Sequence, residues 1–261
     1  MARSGAIFVE NEGVVAAAVI AAQATGEDGN FRQRDVRFFI ELFSNWMQAT
    51  TGNWSLTVHN AQVLRYLSLA TSAGWAKRVG RTPPRYRLTP EGLLELLGRL
   101  GTRRNLTRLD EFFLVYHFFD AYGERLRALV THSGPLASKA LAIDVNELCD
   151  KQKLVERERR LVAKEIEKLT IRSQESRSIS ELSRQLLREG QPLPRVIDAV
   201  ERRFPYDLNS QKPLGELLSG LPEPWRRAEL EHAAERRADT LWDPTRRVLE
   251  AYDAVLAGLG G

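Results

Sequence analysis

Cysteine is almost absent from this sequence. Cys149 is the only one in 261 residues, which excludes an intramolecular disulfide and any cysteine-rich metal site and suits a reducing compartment. Histidine is nearly as scarce, and His59, His117, His132 and His232 are scattered without the spacing a metal site needs. No phosphate-cradling glycine loop, dinucleotide fingerprint or HExxH motif occurs, so no cofactor or metal is expected and catalysis finds no support. Long hydrophobic runs are missing as well. The apolar run 14–22 is about half of what a bilayer crossing requires, and it follows Glu10 and Glu12 instead of a basic region. The expectation is a cytoplasmic, non-enzymatic protein that does not enter a membrane.

Charge, by contrast, is abundant and unevenly placed. The net charge of +4 says little by itself, because an average hides polarisation. Residues 1–30 carry −3, whereas residues 31–107 hold twelve Arg and Lys against four Asp and Glu, a surplus of +8. Such a surplus on one segment is either the footprint of a phosphate-binding face or an arginine-rich solvated surface.

The residue pattern decides between them. Residues 13–25 read as a small-residue helix stopped by Gly26, Asp28 and Gly29. In 35–47, Val36, Phe39, Ile40, Phe43 and Trp46 make one apolar helical face. Residues 54–56 suggest a very short strand, and Thr57 is placed to cap a third helix that runs to Ser72. Along it Ala61, Leu64, Leu67 and Thr71 are expected inside. His59, Asn60, Gln62, Arg65 and Tyr66 are expected outside, as side chains suited to reading a groove. Two short strands follow, 76–80 and 85–89, with Thr82-Pro83-Pro84 in the turn between them. Arg85 and Arg87 project from one side of the second strand and Tyr86 and Leu88 from the other, and no acidic residue stands near the hairpin cations in sequence. Thr89 then caps a fourth helix with Pro90 at its first position and Glu91 beside the positive dipole end.

The run Gln62-Val63-Leu64-Arg65-Tyr66-Leu67, then Ala73-Gly74-Trp75-Ala76-Lys77-Arg78, then Arg85-Tyr86-Arg87-Leu88-Thr89-Pro90-Glu91-Gly92, resembles the recognition helix, wing and R-Y-x-L-T-x-x-G exit of winged helix-turn-helix regulators of the PadR and MarR type. The resemblance covers roughly residues 10–101. It departs from the common pattern in a longer, more aromatic second helix and a nine-residue linker before the third. It implies a third helix in the major groove and a wing on the backbone or minor groove. By position that involves His59, Asn60, Gln62, Arg65 and Tyr66, with Lys77, Arg78, Arg81, Arg85 and Arg87 on the wing.

Beyond Gly101 the sequence holds no convincing strand. Residues 106–129 are too aromatic for a surface helix, so they are expected against another helix or a second chain. In 136–171, Leu141, Leu148, Val155, Val162 and Leu169 fall seven apart, with Val145, Gln152, Arg159 and Ile166 in the partner row. This heptad seam pairs two chains or packs within one bundle. A short helix is expected at 178–189 and another at 196–204. The segment 222–258 reads as one or two helices interrupted near Asp243-Pro244, burying Trp225, Leu230, Ala233, Leu241, Trp242, Leu249 and Val255.

The expected fold is therefore mainly α: an N-terminal winged helix-turn-helix with a β-hairpin wing at 1–105, then an all-α domain with a long coiled-coil-like helix at 106–261. The expected function is a sequence-specific, dimeric transcription regulator that binds double-stranded DNA, associated with the nucleoid. The alternative is a winged-helix assembly protein of a condensin-like, chromosome-organising complex, binding a protein partner or non-specific DNA.

Overall fold

The computed structural model describes residues 11–52, 56–80, 82–101, 106, 109–131, 145–205 and 212–259. Its first helix, α1 (Glu12–Thr25), buries ten consecutive residues, Val14 to Gln23. A helix apolar all round has to be enclosed, and its many alanines let neighbours approach closely. Three helices do so: α2 (Gln33–Thr51), α4 (Pro90–Gly101) and α5 (Leu109–Thr131) all pack on α1. Val36, Ile40 and Met47 of α2 are buried, and Phe39 and Phe43 meet Tyr122 and Phe118 of α5 edge to face at 6.2 and 6.1 Å. The aromatic segment is thus buried against helices of its own chain.

Between α2 and α4 lie α3 (Asn60–Ser72) and a hairpin of β1 (Ala76–Val79) and β2 (Arg85–Leu88). The strands are antiparallel, with Ala76 opposite Leu88 and Lys77 opposite Arg87. Phe31, between α1 and α2, extends this small sheet by one bridge: its N–H donates to the Tyr86 carbonyl at 2.9 Å, and the Tyr86 N–H donates back at 2.7 Å. Of the strand expected at 54–56, Leu56 is not in a strand and the rest lies outside the described residues.

Contacts divide the chain into two compact units, Met1–Arg157 and Glu158–Gly261. The expected division near residue 105 falls among residues outside the description. α6 (Lys151–Arg188) is one 38-residue helix and takes in all but the last residue of the segment predicted as a separate helix at 178–189. No glycine or proline interrupts it until Gly190. In the second unit its buried face runs Glu158, Val162, Leu169, Ser173, Ser176, Ser180 and Ser183. The expected seam residues Gln152 and Arg159 are exposed, and Arg159 Nε donates to Asp253 Oδ1 at 3.0 Å instead. Leu141 lies outside the described residues.

The same chain covers that face. α9 (Glu223–Ala228), α10 (Ala234–Arg237) and α11 (Asp243–Leu259) run on through two π turns, Glu229–Ala233 and Ala238–Trp242. Tyr252 Oη donates to Glu158 Oε1 at 2.9 Å, and the Glu235 N–H donates to Ser180 Oγ at 3.2 Å. α7 (Leu193–Arg203) and α8 (Leu214–Leu218) form a smaller apolar cluster with Leu230. The interruption expected at Asp243-Pro244 does not occur. The Asp243 N–H reaches back to the Ala238 carbonyl in a wider i→i−5 turn, and Pro244 enters just inside α11. The π turns stretch the buried row to steps of four, Leu230, Ala234, Ala238 and Trp242. Trp225, Leu241 and Val255 are exposed, against expectation. No described helix is long and apolar enough to cross a membrane.

Over the described residues the chain is therefore mainly helical, with a small two-stranded antiparallel sheet and a long helix.

Candidate nucleic-acid interface

α3 starts at Asn60, with His59 at its N-cap, and not at Thr57. The Gln62 side chain folds back so that the His59 N–H donates to its Oε1 at 2.7 Å. Val63, Leu67 and Ala70 are the buried residues. Of the four positions expected inside, only Leu67 is buried, while Ala61, Leu64 and Thr71 are exposed. The reason is the i, i+4, i+7 spacing of Val63, Leu67 and Ala70, which places the side chains best able to fill the space beneath α3.

This rotation turns Tyr66, expected outside, partly inward. Burial pushes its phenol up to about 12; Arg99 opposes the shift, and Glu12 and Glu95 add to it. A raised folded-state value means that Tyr66 favours the fold fully below the ordinary value near 10, and that this contribution fades as pH rises toward 12. The loss should be of the order of 2 kcal/mol. Urea unfolding at pH 8 and 11 checks it: wild type should weaken more than Tyr66→Phe, and parallel losses would exclude the effect.

The outer face of α3 carries His59, Asn60, Ala61, Leu64, Arg65, Ser68, Leu69 and Ser72, all exposed. Arg65 is its one fixed cation, whereas Leu64 and Leu69 are 42% and 62% exposed. Gln33 Nε2 donates to the Asn60 carbonyl and ties the first turn of α2 to that of α3. It brings in Arg34, an exposed cation that the sequence reading did not select.

In the hairpin, Tyr86 and Leu88 are buried, as the alternation predicts, and Arg87 points out with its cross-strand partner Lys77, while Arg78, opposite Tyr86, is also exposed. Arg85 is half-buried, and Arg81 lies outside the described residues. The expectation that no acidic group accompanies these cations is corrected by the turn after α1. Glu27 lies 3.6 Å from Arg85, although its own 81% exposure keeps that pair weak. Arg87 donates to the Asp28 carbonyl at 2.6 Å and to Asn30 Oδ1 at 3.1 Å, both neutral acceptors. Chain folding brings these partners to the hairpin, and no local sequence pattern announces them. Lys77 has no ion pair among the described residues.

Thr89 secures the base of the hairpin. Its N–H donates to the Trp75 carbonyl at 2.9 Å, its Oγ1 donates to the Gly74 carbonyl at 2.8 Å, and the Gly92 N–H donates to that Oγ1 at 3.0 Å. Arg99 lies over the Trp75 ring at 4.5 Å and pairs with Glu95 and Glu12, so it belongs to the interior edge and not to the outer face.

Comparison with known proteins adds no relative: no protein-family model, curated protein or solved structure matches the chain.

Proposed function

We propose that the chain binds duplex DNA as a winged helix, with α3 in the major groove and the hairpin on the backbone. The observation that carries this reading is the run of exposed cations on adjoining elements, Arg65 on α3 followed by Lys77, Arg78 and Arg87 on the hairpin. Cations of this kind supply phosphate contacts and most of the affinity. Asn60 and Arg65 are exposed groups on α3 able to bond base edges, and Leu64 is suited to a thymine methyl. A dimeric regulator is the form we favour. The α6 face is covered by α11, so pairing would use the exposed row Leu241, Val248 and Val255, seven residues apart along the second π turn and α11.

Lys77→Gln with Arg78→Gln is the test, because both residues are exposed on the first strand of the hairpin. Fluorescence anisotropy on duplexes across a salt series should show affinity falling about tenfold or more and the salt slope shrinking by about two. Footprinting on genomic fragments should reveal a palindromic site. An unchanged slope, or no binding of the wild type at low salt, would overturn the reading.

Leu64 and Leu69, exposed on the helix assigned to the groove, favour a second reading. In it the same winged helix docks on a protein partner of a condensin-like assembly, and DNA binding is absent or indifferent to sequence. Wild type that binds no duplex but recovers one large partner in a pull-down would support it.

A further inference from the structure

A cavity of about 680 Å³ opens in the first unit among the end of α1, the hairpin, the start of α4 and the end of α5. We propose that it binds a small organic anion with an apolar body, such as a medium-chain or aryl carboxylate or sulfonate. The inference goes beyond DNA binding and does not depend on it.

Three cations line the cavity, Lys77, Arg87 and Arg125, against one carboxylate, Asp28. Lys77 and Arg87 stand directly opposite each other in the strand register. Like charges in that position repel, and a bound anion would relieve the repulsion. The two bonds Arg87 makes are to neutral oxygens and leave its charge uncompensated. Arg125 has no ion pair among the described residues and lies 6.0 Å from the centroid of the Tyr122 ring.

A second observation also points to a ligand. Gln23 lines the cavity and is only 6% exposed. Its Oε1 accepts the Leu88 N–H at 2.6 Å, which fixes the carboxamide and leaves Nε2 as the donor arm. Nε2 has no partner among the described residues. Nε2 is not sealed from solvent, so it is open to the cavity as a donor suited to an anionic oxygen. The remaining lining is apolar: Leu88 and Leu93 are buried, and Pro90, Ala128 and Leu129 complete it. A bare inorganic ion would leave that surface unused, whereas an anion with a hydrocarbon body engages both parts.

The test uses the full chain and two fluorescent probes of matched shape, 1-anilinonaphthalene-8-sulfonate and neutral N-phenyl-1-naphthylamine. The sulfonate should bind once per chain, and the neutral amine about tenfold more weakly or worse. Octanoate should displace the sulfonate, and inorganic phosphate should not. Arg125→Gln, at an exposed position, should weaken sulfonate binding by about tenfold. Leu129→Trp should block it by filling the apolar side without changing any charge. Equal binding of the two probes, displacement by phosphate alone, or unchanged sulfonate affinity in either variant would overturn the proposal.

Discussion

Gly92→Ala should destabilise the first unit by about 3 kcal/mol or more, a cost of the size that backbone clashes in a packed core produce. A Cβ on Gly92 would lie 1.9 Å from the Trp75 carbonyl oxygen and 2.6 Å from its carbon. Both are backbone atoms and cannot swing aside as the end of a long side chain would. The displaced carbonyl also accepts the Thr89 N–H, and Thr89 caps α4 through the Gly92 N–H itself. The substitution would therefore damage both the close approach and the cap. Gly98, in the same helix, makes a sharp control. A Cβ there meets nothing within 4 Å, so Gly98→Ala should stabilise by about 0.5–1 kcal/mol through helix propensity. Urea unfolding of the two variants should move in opposite directions, and a Gly92→Ala cost below about 1 kcal/mol would show that α4 can shift.

The second large effect belongs to Asp243, the buried carboxylate between α6 and the last helix. Ser173 Oγ donates to its Oδ1 at 2.8 Å and Arg177 Nη2 donates to its Oδ2 at 2.5 Å, while Arg177 also reaches Asp239 at 2.6 Å. The Arg177 hydrogen bond is the main cause holding the Asp243 carboxyl below its usual range, the Ser173 bond assists, and burial opposes. Removing the charge with Asp243→Asn should cost about 1–3 kcal/mol at pH 7, with the half-exposed Arg177 limiting the loss through solvent screening.

The sign with pH follows from the depressed folded-state value. The Asp243 contribution is complete above the ordinary carboxylate value near 4, and it disappears as pH falls through the lower folded value. Unfolding midpoints of wild type and Asp243→Asn should therefore converge on acidification. A gap of constant size from pH 7 to pH 2.5 would place the contribution in packing and not in charge.

The candidate interface was legible in the sequence wherever its causes are local. The alternation of Arg85, Tyr86, Arg87 and Leu88 announced which side chains of β2 are buried. Thr89 and Pro90 announced the start of α4, and the T-x-x-G spacing marks the cap and the close approach at Gly92. The ambiguity in α3 came from several apolar residues that permit more than one inward face. The helical period is present for Ala61, Leu64, Leu67 and Thr71 as well as for Val63, Leu67 and Ala70, and only the shape of the surface beneath selects the second.

The cavity and the hairpin's partners were not legible. Gln23 meets Leu88, and Glu27 meets Arg85, across long stretches of chain, and no spacing rule connects them. The heptad seam shows the same division. Its leucines and valines state that α6 has a face to bury, but a helix face has no preference between a second chain and its own C-terminal helices until those helices are in place. The sequence by itself determined the mainly helical class, the hairpin and the Thr89 cap of α4, because propensity, periodicity and capping act over three or four residues. Tertiary structure alone decided which face of α3 turns outward, what covers α6 and where the cationic cavity opens, because those depend on packing between segments distant in sequence.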